Sequence, residues 1–265
     1  MSNIITKEQI NNYSANGFIH PVSVISSIKA NFYAKQLLLF QSNHPEYLQN
    51  IKARKLHLIL TWMTDLISEK LILDAVEYLI GPNILCWSST LFIKESKSST
   101  FVSWHQDGNY WGLSSNEVTT AWLALTPSTV LNGCVKMIPG SHNWAQIHHE
   151  PSSNENNLLS QGQVMNKEID NTNAVNICIN SGEISLHHIN VAHSSGPNNS
   201  KSKRIGIAIR YVNPKVKQLN NYTDSATLVR GKDAYKHFKL EPKPKYDFEP
   251  SSMSFYNKIT NNKSK

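Results

Sequence analysis

No stretch of about 18 or more consecutive apolar residues occurs in the 265-residue chain, so no conventional membrane-spanning helix is expected. The opening residues, Met1 to Gly17, lack the basic start and apolar stretch of a secretory leader, and a cytoplasmic address follows as the expectation. Cysteine is scarce. Cys86, Cys134 and Cys178 are odd in number and far apart in sequence, which fits neither a disulfide framework nor a zinc site and reads as free thiols in a reducing compartment. Acidic residues are also in deficit: 19 Asp and Glu against 26 Lys and Arg leave a formal charge of +7. The C-terminal basic residues, such as Lys215, Lys217, Arg230, Lys232 and Lys236, are scattered and accompany no nucleic-acid-binding module. The basic excess therefore reads as a solvated face with no nucleic-acid partner, and a pull on an anionic small-molecule substrate is the functional alternative.

What is present falls into three textures, read as one domain. Residues 1–84 are mostly helical, 85–213 form a β core, and 214–265 are a polar extension. Thr6-Lys7-Glu8-Gln9 has the form of a capping box, and Gly17 can end the helix it starts. Phe18-Ile19 then leads into an extended segment. A second helix is expected from about Val24 to Ser42, on the spacing of Ile25, Ile28, Phe32, Leu38 and Leu39. A third is expected from Asp65 to Ile80, stopped by Gly81-Pro82. Short β-prone runs follow at 85–93, 119–125, 134–138, 175–179, 184–187 and 205–212, separated by turn residues as in a sandwich or barrel. Residues 143–173 lack apolar periodicity and read as a long loop of the kind that often serves as a lid. From Met253 onward the chain reads as frayed.

The sharpest local pattern is Trp104-His105-Gln106-Asp107. On a strand, residues two apart share a face, so His105 and Asp107 can converge on one ion. With a third imidazole they would complete the two-His-one-carboxylate triad of non-haem Fe(II) oxygenases. His187, His188 and His193 are the downstream candidates. Arg204 and Arg210 lie on a later apolar run, where the guanidinium fork suits the far carboxylate of a dicarboxylate co-substrate.

The chain resembles the phytanoyl-CoA dioxygenase family of 2-oxoglutarate oxygenases over about residues 5–213. The resemblance rests on Trp104-His105-Gln106-Asp107-Gly108, Thr120-Ala121-Trp122-Leu123-Ala124-Leu125, Asn132-Gly133-Cys134, Ile138-Pro139-Gly140-Ser141-His142 and His193-Ser194-Ser195-Gly196-Pro197-Asn198. It implies a mainly β double-stranded β-helix, or jelly roll, with N-terminal helices packed outside. It implies Fe(II) on His105, Asp107 and His193. It also implies 2-oxoglutarate on Arg204 with help from Ser195 and Trp122, O2 as oxidant, and a substrate-facing Trp111. The register of His193 with Ser195-Gly196-Pro197 and Arg204 favours it over His187 and His188, and the spacing from His193 favours Arg204 over Arg210. The carboxylate of Asp107 argues against the halogenases of the superfamily, which carry a small residue there. Hydroxylation of a C–H bond of a small molecule in specialised metabolism is therefore expected. Desaturation or cyclisation, and an amino-phosphonate or acyl thioester substrate, are the alternatives within that chemistry. A silent jelly-roll binding protein is the alternative outside it. Lys94 and Lys97 are expected near the mouth of the site, where they would favour an anionic substrate.

Overall fold

The computed structural model describes residues 4–48, 53–159, 164–220 and 224–262. Helix α1 (Lys7–Asn16) starts as its sequence predicts. Gln9 donates its backbone N–H to the Thr6 hydroxyl while its side chain accepts from the Thr6 amide, and Gly17 ends the helix at φ 82°. Strand β1 (Phe18–Ser23) follows, then α2 (Ser27–Asn43), α3 (Thr61–Ile67) and α4 (Lys70–Ile80). The single helix expected over 65–80 is thus two, broken at Ser68-Glu69. In α2 the expected apolar stripe faces outward: Ile28 is 81% and Leu39 58% exposed, while Ala30, Tyr33, Ala34, Leu37 and Phe40 pack inward.

The β region comprises β2 (Ile84–Lys94), β3 (Val102–His105), β4 (Val118–Ala124), β5 (Val135–Met137), β6 (His149–Glu150), β7 (Val164–Met165), β8 (Val175–Ile177), β9 (Glu183–His188), β10 (His193–Ser195), β11 (Arg204–Val212), β12 (Ser225–Arg230) and β13 (Lys239–Leu240). A one-turn helix, α5 (Gly108–Trp111), follows β3, and α6 (Pro250–Asn262) closes the described chain. The larger sheet runs β1-β9-β4-β11-β2-β12-β13 and the smaller β3-β10-β5-β8, with β6 and β7 forming a separate ribbon. The two sheets enclose Trp122, Ala124, Met137, Ile177 and Val191 between them, making the jelly roll.

Alternation divides the larger sheet. In β11, Ile205, Ile207, Ile209 and Tyr211 point out against α2, α3 and α4, while Ala208 joins the cluster between the sheets. The Tyr211 hydroxyl donates to the Ile67 carbonyl at 2.9 Å, tying that outer layer to α3.

The C-terminal extension is more ordered than its composition suggests. Helix α6 spans the stretch expected to fray, as far as the described residues reach, and buries Tyr256. Glu241, just after β13, is buried and gathers Lys55 (2.5 Å), Ser225 (2.7 Å), Thr227 (2.6 Å) and His57 (3.3 Å). Burial opposes ionisation of Glu241, but Lys55 and His57 outweigh it and hold the carboxyl down at about 2. Removing one partner of a buried, fully bonded pair leaves an uncompensated charge, which costs about 3–5 kcal/mol. Glu241→Ala should therefore lower the unfolding free energy by about that amount in urea titration. A loss below about 1 kcal/mol would show that the pair does not hold the extension to the core.

Candidate active site

The smaller sheet supplies two imidazoles. His105 on β3 and His193 on β10 are directly paired across antiparallel strands, with ring centroids 4.0 Å apart. Each Nδ1 lies 2.9 Å from a backbone carbonyl, Ser103 for His105 and Val191 for His193. A carbonyl only accepts, so Nδ1 carries the proton in both rings and Nε2 presents a lone pair. Burial, then the neighbouring His105, holds His193 well below the usual imidazole range, so it is a neutral donor.

Asp107 reaches the same point by a route different from the strand alternation expected. Strand β3 ends at His105, and Asp107 has helical angles (φ −57°, ψ −40°) at the head of α5. Its carboxylate makes no capping hydrogen bond to that helix and is left for other use. A carboxylate oxygen lies 3.6 Å from His105 Nε2. Burial opposes ionisation of Asp107, but the adjacent imidazoles and the Arg210 guanidinium outweigh it and hold the carboxyl below the usual carboxylate range. The turn depends on Gly108, where a Cβ would meet the Asn190 side chain at 2.2 Å. One donor atom from each of His105, Asp107 and His193 lies within 4.8 Å of the other two. Two imidazoles and one carboxylate, largely buried and all on one side, fit a divalent iron with open positions.

Gln106, between the two outer members, is locked from the segment 143–173. It donates its backbone N–H to His149 Nε2 (3.0 Å), accepts from the Ile147 amide (3.2 Å) and donates its side-chain amide to Asn190 O (2.9 Å). The segment expected as a loop thus contributes β6, β7 and a wall behind β3; residues 160–163 lie outside the described part.

The larger sheet supplies the cations. Arg204, only 1% exposed, donates from Nη1 to Gly133 O at 2.6 Å, while its Nε has no partner. Its guanidinium lies 5.2 Å from the centre of the Trp122 ring. Trp122 in turn lies over Gly206, where a Cβ would fall 2.1 Å from the ring, so only glycine permits that packing. Lys94 is cross-strand partner to Arg204 and is fully buried, not at a mouth as expected. It donates to Ser195 Oγ at 2.7 Å and to the Gly196 carbonyl. Arg204 thus lies by the Trp122 ring, and Lys94 beside it links to Ser195. Lys97 lies apart, exposed, with Nζ on Asn199 O at 2.6 Å. A buried guanidinium with an open Nε beside a second cation fits a carboxylate.

Trp111 packs edge-on to Trp87 (5.1 Å) and beneath the Arg210 guanidinium (5.3 Å). His187 faces the interior, its ring 4.9 Å from that of His193, whereas His188 accepts from the Asn190 amide at 3.1 Å. The burial of Lys94 is what sequence reasoning missed, and which of His187 and His188 faces inward is what it left open. Strand alternation through Lys94 and Phe92 carried a signal for the first.

A jelly roll with this donor set defines a non-haem iron oxygenase scaffold. The Phytanoyl-CoA dioxygenase (PhyH) family matches residues 16–206, and the chain belongs to that family. It is 26% identical over 157 residues to the "Probable alpha-ketoglutarate-dependent hypophosphite dioxygenase" of Stutzerimonas stutzeri, covering 58% of this chain and 54% of that protein. It is 30% identical over 147 residues to the peroxisomal phytanoyl-CoA dioxygenase of Bos taurus, covering 53% of this chain and 43% of that one. The chain thus matches about half the length of these curated relatives. Among solved structures, the apo form of the non-heme monooxygenase ThoJ superposes with a TM-score of 0.86 at 30% identity, covering 97% of this chain and 96% of that one. Among the described residues no helix is long and apolar enough to cross a membrane.

Burial, then the charge of Arg204, lowers Lys94 to about 7. A dicarboxylate bound beside it would favour the charged amine, so binding at pH 8 should take up a proton and weaken as pH rises above 7. Titration calorimetry with 2-oxoglutarate in two buffers of different ionisation enthalpy should show this. The buffer dependence should vanish in Lys94→Met; identical heats in both buffers for the native chain would show that Lys94 does not titrate.

Proposed function

We propose that this protein is an Fe(II)- and 2-oxoglutarate-dependent dioxygenase that hydroxylates a C–H bond of a small molecule, with succinate and CO2 as co-products, in specialised metabolism. The observation that carries the reading is the convergence of His105, Asp107 and His193, with Arg204 buried in the same interior on the facing sheet. Family membership adds weight, as does the alpha-ketoglutarate dependence of the Stutzerimonas relative.

In this reading His105 and His193 hold iron through Nε2 and Asp107 through its carboxylate. The Ser103 and Val191 carbonyls hold both rings in the required tautomer. Arg204 takes the far carboxylate of 2-oxoglutarate through its unpartnered Nε, with the Ser195 hydroxyl held in place by Lys94 and the Trp122 face against the guanidinium. Bound iron with 2-oxoglutarate and O2 supplies an oxidant strong enough to remove hydrogen from an unactivated carbon. The rest of the protein's work is placement. Trp111 forms part of the substrate wall beside Asp107, and the buried interior excludes bulk water from the reacting carbon.

Anaerobic addition of Fe(II) and 2-oxoglutarate to the purified protein should produce a weak visible charge-transfer band near roughly 500 nm, as expected of chelation at an open three-ligand iron site. His105→Ala should abolish the band. Arg204→Met should weaken 2-oxoglutarate binding by about tenfold or more, the loss of one charge-assisted contact. A folded native protein that gives no band would leave the jelly-roll binding-protein reading in its place.

A further inference from the structure

One row of side chains inside the sandwich is used by neither the metal nor the co-substrate. Four adjacent strands of the larger sheet pair so that Ser88 (β2), Arg210 (β11), Thr120 (β4) and His187 (β9) stand side by side. Ser88, Thr120 and His187 are each no more than 2% exposed. Every member carries a buried polar atom without a hydrogen-bond partner: Ser88 Oγ, Thr120 Oγ1, Arg210 Nε and both nitrogens of His187. Buried polar groups are ordinarily satisfied, because an orphan carries its full desolvation penalty. Four in one cross-strand row is the signature of a place where another molecule supplies the partners.

The row sits six residues along β11 from Arg204, and between them the Trp122 ring packs over Gly206, so the row and the Arg204 site are separate places on the strand. The ring of His187 is 4.9 Å from that of His193, so the row stands at the level of the metal ligands. The two ring nitrogens of His187 both lack a partner, so the ring has hydrogen-bonding capacity to offer a ligand.

Charge identifies the missing partner. Arg210 donates from Nη1 to Thr90 Oγ1 at 2.7 Å, a neutral acceptor. The carboxylate that acts on it is that of Asp107, which the proposed function commits to iron. With iron and 2-oxoglutarate in place, the metal's two charges are matched by Asp107 and the chelating carboxylate, and Arg204 matches the distal one. Arg210 is left over, with an open donor and hydroxyl donors beside it.

We propose that Ser88, Arg210, Thr120 and His187 form the subsite that binds an oxyanion of the substrate, a carboxylate or a phosphorus oxyacid, and so fix which carbon faces the iron. This rests on the dioxygenase reading for its account of Asp107. The substrate is then an acid whose reactive C–H lies within a few bonds of its anionic group, because His187 of the row lies against His193 and Arg210 is near enough to Asp107 for their charges to interact.

The test uses the full-length protein, loaded anaerobically with Fe(II) and saturating 2-oxoglutarate. Acetate and hypophosphite serve as anionic probes, and acetamide as the neutral shape match to acetate. Binding is followed by tryptophan fluorescence, since Trp111 lies against Arg210, and separately by change in the visible band. Acetate and hypophosphite should bind saturably, with acetamide weaker by about tenfold or more. Arg210→Met should remove the preference for the anions while 2-oxoglutarate binding stays within about twofold; Arg210→Lys should restore part of it. Equal binding of acetate and acetamide, no saturable binding of either anion, or anion binding unchanged in Arg210→Met would each overturn the proposal. The acetate–acetamide comparison needs no variant, so it stands even if Arg210→Met fails to fold. Absence of the visible band in the native protein sinks the dioxygenase reading instead, and the fluorescence arm still reports on the anion subsite.

Discussion

The register of β11 is the constraint on which the site depends. Its side chains alternate, so odd-numbered Ile205, Ile207, Ile209 and Tyr211 are driven into the apolar layer beneath the helices. That burial forces even-numbered Arg204, Gly206, Ala208 and Arg210 into the space between the sheets. A slip of one residue would bury two guanidiniums among aliphatic side chains, at a cost of several kcal/mol per charge. Hydrophobic burial on one face of the strand thus positions cations on the other. It also fixes the six-residue interval that separates the Arg204 pocket from the Arg210 row.

Much of this was legible in the sequence because strands and turns carry local signals. The six β-prone runs between 85 and 212 all correspond to strands, and the capping box at Thr6 forms as its residues imply. The failures have physical reasons. Periodicity in α2 selected the wrong face because Ala30, Ala34 and Tyr33 carry little of the apolar signal, although they pack inward. The Asp107 turn is set by a tertiary contact, the close approach of Asn190 to Gly108, which no local pattern contains. Lys94 looked like a surface cation because lysine is seldom fully buried. What takes it inside is its position on a strand buried on both faces, a property of the sandwich as a whole.

The periphery follows the same logic. Polar composition suggested a loose extension, yet Glu241 reaches back to Lys55 and His57, and Trp87 donates to Asp224 at 2.9 Å. The apolar contribution of the extension is small, with Phe238 and Tyr256 its main buried aromatics. Its attachment is therefore mainly ionic and hydrogen-bonded. Such attachment leaves little trace in hydrophobic patterning. The segment after Asn143 likewise works through hydrogen bonds, holding Gln106 from both sides so that His105 and Asp107 keep their separation.

The imidazoles that would grip the metal lie on the smaller sheet and Asp107 just beyond its edge, whereas both interior arginines lie on the larger one. The two sheets meet through side chains, not through a shared hydrogen-bond ladder. Substitutions along β2, β4 and β11 can then alter what the cavity accepts without disturbing the donor atoms opposite. Such a layout separates the part that must stay constant from the part that is free to diverge. A lineage can acquire new acceptors for its chemistry one strand position at a time, keeping a working centre throughout.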